Sequence, residues 1–158
     1  MKQHTYRIRM EWTGNDGEGT KGYKSYRRDY TISVEGKPTI LGSSDPNFRG
    51  DPSRYNPEEL MVASLSSCHM LWFLHLCSVN QIVVVDYLDE AGGLMKENPD
   101  GSGEFVTVTL KPKVTIASGN PAKLDELHHK AHQLCFIARS VNFPVEIQPQ
   151  AVAAELPA

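Results

Sequence analysis

Cysteine is scarce in this sequence, with three among 158 residues. Nothing at the N-terminus reads as an export signal: Met1-Lys2-Gln3-His4-Thr5-Tyr6-Arg7 has neither an apolar centre nor a cleavage site. These two shortages exclude a disulfide-stapled secreted scaffold. They lead us to expect a cytoplasmic protein whose thiols are free or catalytic. Charge of one sign is also missing. The formal net charge is -3 and the isoelectric point is near 6.1. Arg27, Arg28, Arg49 and Arg54 form no long basic run, so no nucleic-acid partner is expected. There is no glycine-rich phosphate loop and no serine nucleophile elbow; Gly92-Gly93 and Asn98–Gly103 read as a bulge and a turn. The most apolar stretch is broken by Ser64, Ser66, Ser67, His69, His75 and Ser78. A membrane span wants roughly 20 mostly apolar residues, so no membrane partner is expected either.

The length suits a single domain spanning 1–158, with strands in 1–55, a first central helix over 56–79, and further strands and a second helix in 80–158. His4 to Thr13 alternates with Tyr6, Ile8, Met10 and Trp12 on one face, as a strand does. Tyr23 to Val34 and a short piece near Thr39–Leu41 read as two more. Gly42 to Tyr55 is a long polar loop, the kind that tends to carry function. Asn56 then offers a helix N-cap, Pro57 fits the first helical position, and Glu59 stands where a capping box needs it. The helix it opens is apolar on most sides, which in a soluble protein means a central helix covered by sheets or by a partner subunit. Gln81–Ala91 and Glu104–Ala117 read as strands, with Pro112 marking an edge or bulge. Pro121 to about Val141 reads as the second helix and Phe143 to Val152 as a closing strand. The order implies an α+β fold.

The chemistry rests on the thiols. Cys68 and Cys77 are nine apart on the first helix and project to roughly opposite sides at about 100° per residue. Cys77 reads as a small buried hydrophobe. If Cys68 has a thiol partner it is Cys135, on the second helix. A cysteine titrating near 8.5 is only about 3% thiolate at neutral pH. Cys68 lies three turns into its helix, beyond the reach of the helix dipole. A reactive Cys68 therefore needs roughly 3–4 kcal/mol from a neighbouring cation, for which a desolvated arginine is the fitting residue. Glu58 is the carboxylate to hold that arginine, yet ten helical residues place it about 15 Å from Cys68. Either the helix breaks after its first turn, or Glu58 serves a site built with other elements, such as those of a second chain.

The run Asn56-Pro57-Glu58-Glu59-Leu60, with a cysteine ten residues after Glu58, resembles the OsmC/Ohr family (osmotically inducible protein C and organic hydroperoxide resistance protein). The likeness covers nearly the whole chain. It implies an intertwined homodimer in which two β-sheets wrap two long central helices, with active sites at the subunit interface. It also implies a thiol peroxidase that acts on organic hydroperoxides without a cofactor or metal. Cys68 would attack the peroxide, Cys135 would resolve the product as a Cys68–Cys135 disulfide, and a dithiol such as a lipoyl protein would restore both. Glu58 would orient the activating arginine, for which Arg28 and Arg54 are equal candidates ahead of Arg27 and Arg49. The sequence departs from the family pattern at Phe136-Ile137-Ala138-Arg139 after Cys135 and at His69-Met70 after Cys68.

Two other readings remain open. His128, His132 and Cys135 stand at i, i+4 and i+7, a spacing that can offer ligands to zinc or another soft metal, although such clusters are usually a solvated helix face. Met70, Trp72 and Phe73 can line a pocket for an apolar ligand in a non-catalytic stress protein, against the plainer reading of dimer core. His69 and His75 read as hydrogen-bonded core histidines.

Overall fold

The computed structural model describes residues 1–152. Residues 153–158, the end of the single domain expected from the sequence, lie outside the described residues. The chain falls into two compact units, Met1–Leu60 and Met61–Ala158.

In the first unit, β1 (Arg9–Trp12), β2 (Tyr30–Ser33) and β3 (Ile40–Gly42) form an antiparallel sheet in the order β1-β2-β3. These strands are shorter than the sequence pattern suggests. Beyond Trp12 the two arms stay joined irregularly: Thr13 N–H donates to Asp29 O and Arg27 N–H to Gly14 O, both at 2.9 Å. The Asn15 side chain then turns the chain by accepting from Gly17 N–H and Gly19 N–H. Gly42 is required by close approach, because a Cβ there would lie 2.1 Å from the Tyr30 ring.

The capping box is present as expected. Glu59 N–H donates to Asn56 Oδ1 at 2.8 Å, and Asn56 N–H donates to Glu59 Oε1 at 3.4 Å. We expect Asn56→Ala to lower stability by about 1 kcal/mol in equilibrium urea unfolding, since Glu59 N–H loses its acceptor.

From that cap, α1 runs unbroken over Pro57–Val79. Its buried residues Leu65, His69, Phe73, Leu76 and Cys77 form one stripe, as spacings of three and four dictate. The rest of this apolar helix is only partly covered. Despite its polar interruptions α1 is long and apolar enough by composition to cross a membrane, and 28% of its most apolar stretch is buried within the chain.

The second unit contains two three-stranded ladders. In one, β4 (Val83–Asp89) pairs antiparallel with β7 (Pro112–Ser118), and β9 (Gln150–Val152) lies parallel to β7. In the other, β5 (Gly92–Glu97) pairs antiparallel with β6 (Gly103–Leu110), and β8 (Val145–Ile147) lies parallel to β6. The α+β class with two helices stands, its strands grouped in three ladders rather than two sheets.

Several sequence expectations need correction. The expected strand Gln81–Ala91 is β4 alone, β5 follows in a stretch where no strand was expected, and Glu104–Ala117 divides into β6 and β7. The Asn98–Gly103 turn joins β5 to β6, and Pro112 opens β7 opposite Asp89. The second helix is shorter than 121–141. A 3-10 turn at Pro121–Lys123, capped by the Asn120 side chain, leads into α2 (Leu124–Leu134). The helix stops because Cys135 takes an extended backbone (φ -64°, ψ 112°). A second 3-10 turn follows at Ala138–Ser140, and the closing strand is two short ones.

The core of this unit has two parts. Phe73, Leu76 and Cys77 of α1 pack with Ile82, Val114 and Ile116, and with Leu124, Leu127 and Ala131 on the α2 side. Leu65 packs separately with Val108 and Leu110 of β6.

Candidate functional site

Cys68 stands beside the buried stripe of α1, three residues after Leu65 and one before His69, and is half-buried. The stripe is anchored locally: Ser66 Oγ donates to Asp89 Oδ2 at 2.5 Å, and the other oxygen of Asp89 accepts from Lys111 N–H at 2.7 Å. Cys135 caps the end of α2 and is 1% exposed. The two thiols are near enough that Cys68 adds to the rise of the Cys135 thiol. Both are free.

Their surroundings differ. The Cys135 sulfur accepts from Ala138 N–H at 3.4 Å, at the 3-10 turn that follows it. Burial pushes the Cys135 thiol up to about 11. The Ala138 and Ile137 amides oppose that rise and the adjoining Cys68 adds to it. At neutral pH Cys135 is therefore a protonated thiol in a dry setting. Cys68 is the more accessible residue of the two. Cys77 faces the apolar core at 1% exposure, and burial raises its thiol to about 11. It is the inert hydrophobe the sequence suggested.

The arginine candidates all belong to the first unit, and their surroundings separate them. Arg28 donates to Tyr26 O at 2.6 Å and Tyr23 O at 2.7 Å, with its guanidinium 4.0 Å from the centre of the Tyr26 ring. Two of its N–H groups and a face of its guanidinium are thus engaged. Arg27 pairs with exposed Asp16 and with Asp29, and Arg49 is a left-handed residue (φ 65°) closing the 3-10 turn Pro46–Phe48. Arg54 is the desolvated one. Its side chain is 21% exposed, it lies 3.8 Å from both Asp29 and Asp51, and it donates to Tyr30 O at 3.3 Å. Glu58 acts on the same tyrosine: the Tyr30 hydroxyl is raised by burial first and then by the charges of Glu58 and Glu59. Arg54 and Glu58 thus share a neighbourhood around Tyr30. Because α1 is unbroken, Glu58 and Cys68 of one chain stand about 15 Å apart along it.

His69 is the hydrogen-bonded core histidine expected from the sequence, but sequence reasoning missed its buried partner, His128. His69 Nε2 and His128 Nδ1 are 3.0 Å apart in one hydrogen bond, with the residues 1% and 2% exposed. Phe73 stacks on the His128 ring at 3.8 Å. His128 is therefore not part of a solvated helix face, although the alternation of Leu124, Leu127, His128 and Ala131 with charged residues marks it as inward-facing. The soft-metal reading loses its geometry as well. Cys135 has left the helix, His128 is bonded to His69, and among the described residues no three His, Cys, Asp or Glu side chains are arranged to hold a metal ion. His75 is exposed, lying edge-on to Trp72 rather than in the core. Trp72 and Phe73 do not share a pocket of the kind the alternative reading needs. Phe73 is fully buried against Tyr87 and His128, whereas Trp72 turns to Phe136 at 5.7 Å. A groove of about 450 Å³ lies instead along α2 and β8, lined by Asp125, His128, His129, His132, Val145 and Ile147 among others.

Residues 50–150 match the family described as OsmC-like protein. Among solved structures, an OsmC-like protein of unknown function from Vibrio cholerae is 32% identical, with 96% of this chain and 100% of that one covered and a TM-score of 0.79. An organic hydroperoxide resistance protein from Legionella pneumophila is 16% identical over 94% of this chain and 98% of its own, with a TM-score of 0.63. The organic hydroperoxide resistance protein OhrB of Bacillus subtilis is 18% identical over 93% and 98%, with a TM-score of 0.58. No curated protein matches the chain. The match over 50–150 and the Vibrio cholerae relative agree: this chain belongs to the OsmC-like family.

Proposed function

We propose that this protein is a cysteine-based peroxidase that reduces organic hydroperoxides in stress defence, with Cys68 as nucleophile and Cys135 as resolving thiol. The observation that carries this reading is the adjacency of a half-buried thiol on α1 and a buried thiol just past the end of α2. In the first step the Cys68 thiolate attacks the outer oxygen of the O–O bond. Sulfur is oxidised to the sulfenic acid and the hydroperoxide leaves as an alcohol once protonated. Cys135 then attacks the Cys68 sulfur, forming the disulfide and releasing water. An external dithiol, of the lipoyl type, takes the oxidation state away as its own disulfide and returns both thiols.

For the cation that stabilises the Cys68 thiolate, Arg54 is the better candidate than Arg28. Its charge is desolvated and held by carboxylates, whereas Arg28 is spent on carbonyls and rings. The distance along α1 argues that Glu58 and Arg54 of one copy serve Cys68 of a second copy, in a cytoplasmic homodimer. The uncovered apolar residues of α1 fit that arrangement, with Leu71 at 63% and Val79 at 62% exposure.

The reading is tested by steady-state consumption of an alkyl hydroperoxide with a dithiol reductant. We expect Cys68→Ser to lower the rate at least roughly 1,000-fold, as loss of an activated nucleophile does, and Cys77→Ser to keep it within about twofold. Equal activity in wild type and Cys68→Ser would remove Cys68 from the chemistry.

A further inference from the structure

We infer that the His69–His128 hydrogen bond sets the separation of the Cys68 and Cys135 thiols, which makes both histidines positioning residues for disulfide formation. This rests on the reading of Cys68 and Cys135 as a redox pair.

His69 follows Cys68 directly on α1, and His128 lies on α2 seven residues ahead of Cys135, about two turns or 10 Å along the axis. Two points then relate the helices: the imidazole pair at one level and the thiol pair at another. The packing between them is otherwise apolar, from Phe73, Leu76 and Cys77 on α1 to Leu124, Leu127 and Ala131 on α2. Such contacts are non-directional and tolerate small slides of one helix along the other. A hydrogen bond of 3.0 Å between two rings does not.

The rings are themselves fixed. Their planes lie within 5° of parallel, and Phe73 stacks on His128 within 9°. A dry imidazole costs free energy unless its polar atoms are paired, and here the pairing crosses from the helix of Cys68 to the helix of Cys135. Apolar side chains would fill the same space without that cost, but they would not fix the register. One tautomer is favoured on elementary grounds. If His69 Nε2–H donates to His128 Nδ1, the unpartnered buried atom left on His69, Nδ1, is an acceptor. The reverse would strand a buried N–H donor, the rarer and costlier outcome.

The test is the equilibrium between the two thiols and glutathione buffers at pH 7, read from the fraction of full-length protein carrying the Cys68–Cys135 disulfide. No hydroperoxide is involved. His128→Phe keeps a ring to stack on Phe73 but loses the bond. We expect it to lower the disulfide equilibrium constant at least 10-fold, a rise in reduction potential of about 30 mV. His128→Asn, whose amide oxygen can take the place of Nδ1, is expected to stay within about threefold of wild type. If His128→Phe does not fold, His69→Leu and His69→Gln ask the same question from α1, with the glutamine standing in for Nε2. The inference is overturned if the bond-breaking variant matches wild type, if the rescuing variant falls as far as the bond-breaking one, or if wild type forms no such disulfide. A wild-type disulfide at the expected equilibrium with no consumption of hydroperoxide would overturn the peroxidase reading alone.

Discussion

Cys135→Ser is expected to consume one equivalent of organic hydroperoxide at close to the wild-type rate and then stall. The first step needs only Cys68, the more accessible residue. The second needs a thiol already placed against it, and Cys135 is the one thiol of the second unit that adjoins Cys68 among the described residues. Intramolecular placement of a nucleophile is worth several orders of magnitude over a free one. Turnover with a dithiol reductant should therefore fall by roughly 100-fold or more, while a sulfenic acid persists at Cys68 and can be captured by a dimedone-type nucleophile. Serine is the suitable replacement because its oxygen can still accept from Ala138 N–H, which holds Cys135 at 3.4 Å. A variant that keeps full turnover would show that resolution comes from another thiol.

The second large effect is on stability in acid. Burial lowers His69 to about 4, with His132 adding to the drop and Asp89 opposing it. Burial also lowers His128 to about 3, with His69 adding to the drop. The ordinary value near 6.5 applies to the unfolded chain. Both folded values lie below it, so between these limits the unfolded state binds more protons than the folded state. The stability associated with the neutral pair is fully present above about pH 6.5 and is lost as pH falls toward 4 and 3. Each histidine loses at most about 1.4 kcal/mol per pH unit inside that window. The sum amounts to several kcal/mol, a large share of the roughly 5–15 kcal/mol that holds a domain together. The groups around the pair do not cancel this. Asp89 faces His69 but also accepts from Ser66 and Lys111, Tyr87 is pushed upward by burial and by Asp89, and His132 adds repulsion once charged. Along the groove, Asp125 and His129 also line the His128 side. The carboxylates with depressed values, Asp51, Asp100 and Glu104, owe them first to hydrogen bonds at the surface. Urea unfolding at pH 7, 6 and 5 should show a steep fall, and the double variant His69→Gln with His128→Asn should flatten it. A wild-type stability that is level from pH 7 to 5 would contradict the assignment.

The beginning of α1 was legible because its cap is local: Asn56, Pro57 and Glu59 specify it within four residues, and the observed hydrogen bonds follow. Cys77 was legible for a similar reason, since its place among apolar neighbours leaves a thiol nothing to do. The end of α2 was not. Nothing between Leu134 and Val141 breaks a helix by composition, and the extended conformation at Cys135 comes from its burial and from the turn that delivers Ala138 N–H to its sulfur. The same tertiary context hid His128. Its spacing with Leu124, Leu127 and Ala131 puts it on the inward face of α2, but that spacing does not reveal its partner on α1, 59 positions earlier in the chain. Arg28 and Arg54 were indistinguishable in sequence because their difference lies in carbonyl and carboxylate neighbours, which depend on how the loop folds back over β2.

The most direct measurement is the fate of the three thiols after fully reduced wild-type protein receives one equivalent of an organic hydroperoxide. Peptide mass spectrometry under non-reducing conditions should show Cys68 joined to Cys135 with the loss of two hydrogens, and Cys77 still a free thiol. Three unchanged thiols with the hydroperoxide intact, or oxidation confined to Cys77, would contradict the assignment of this site.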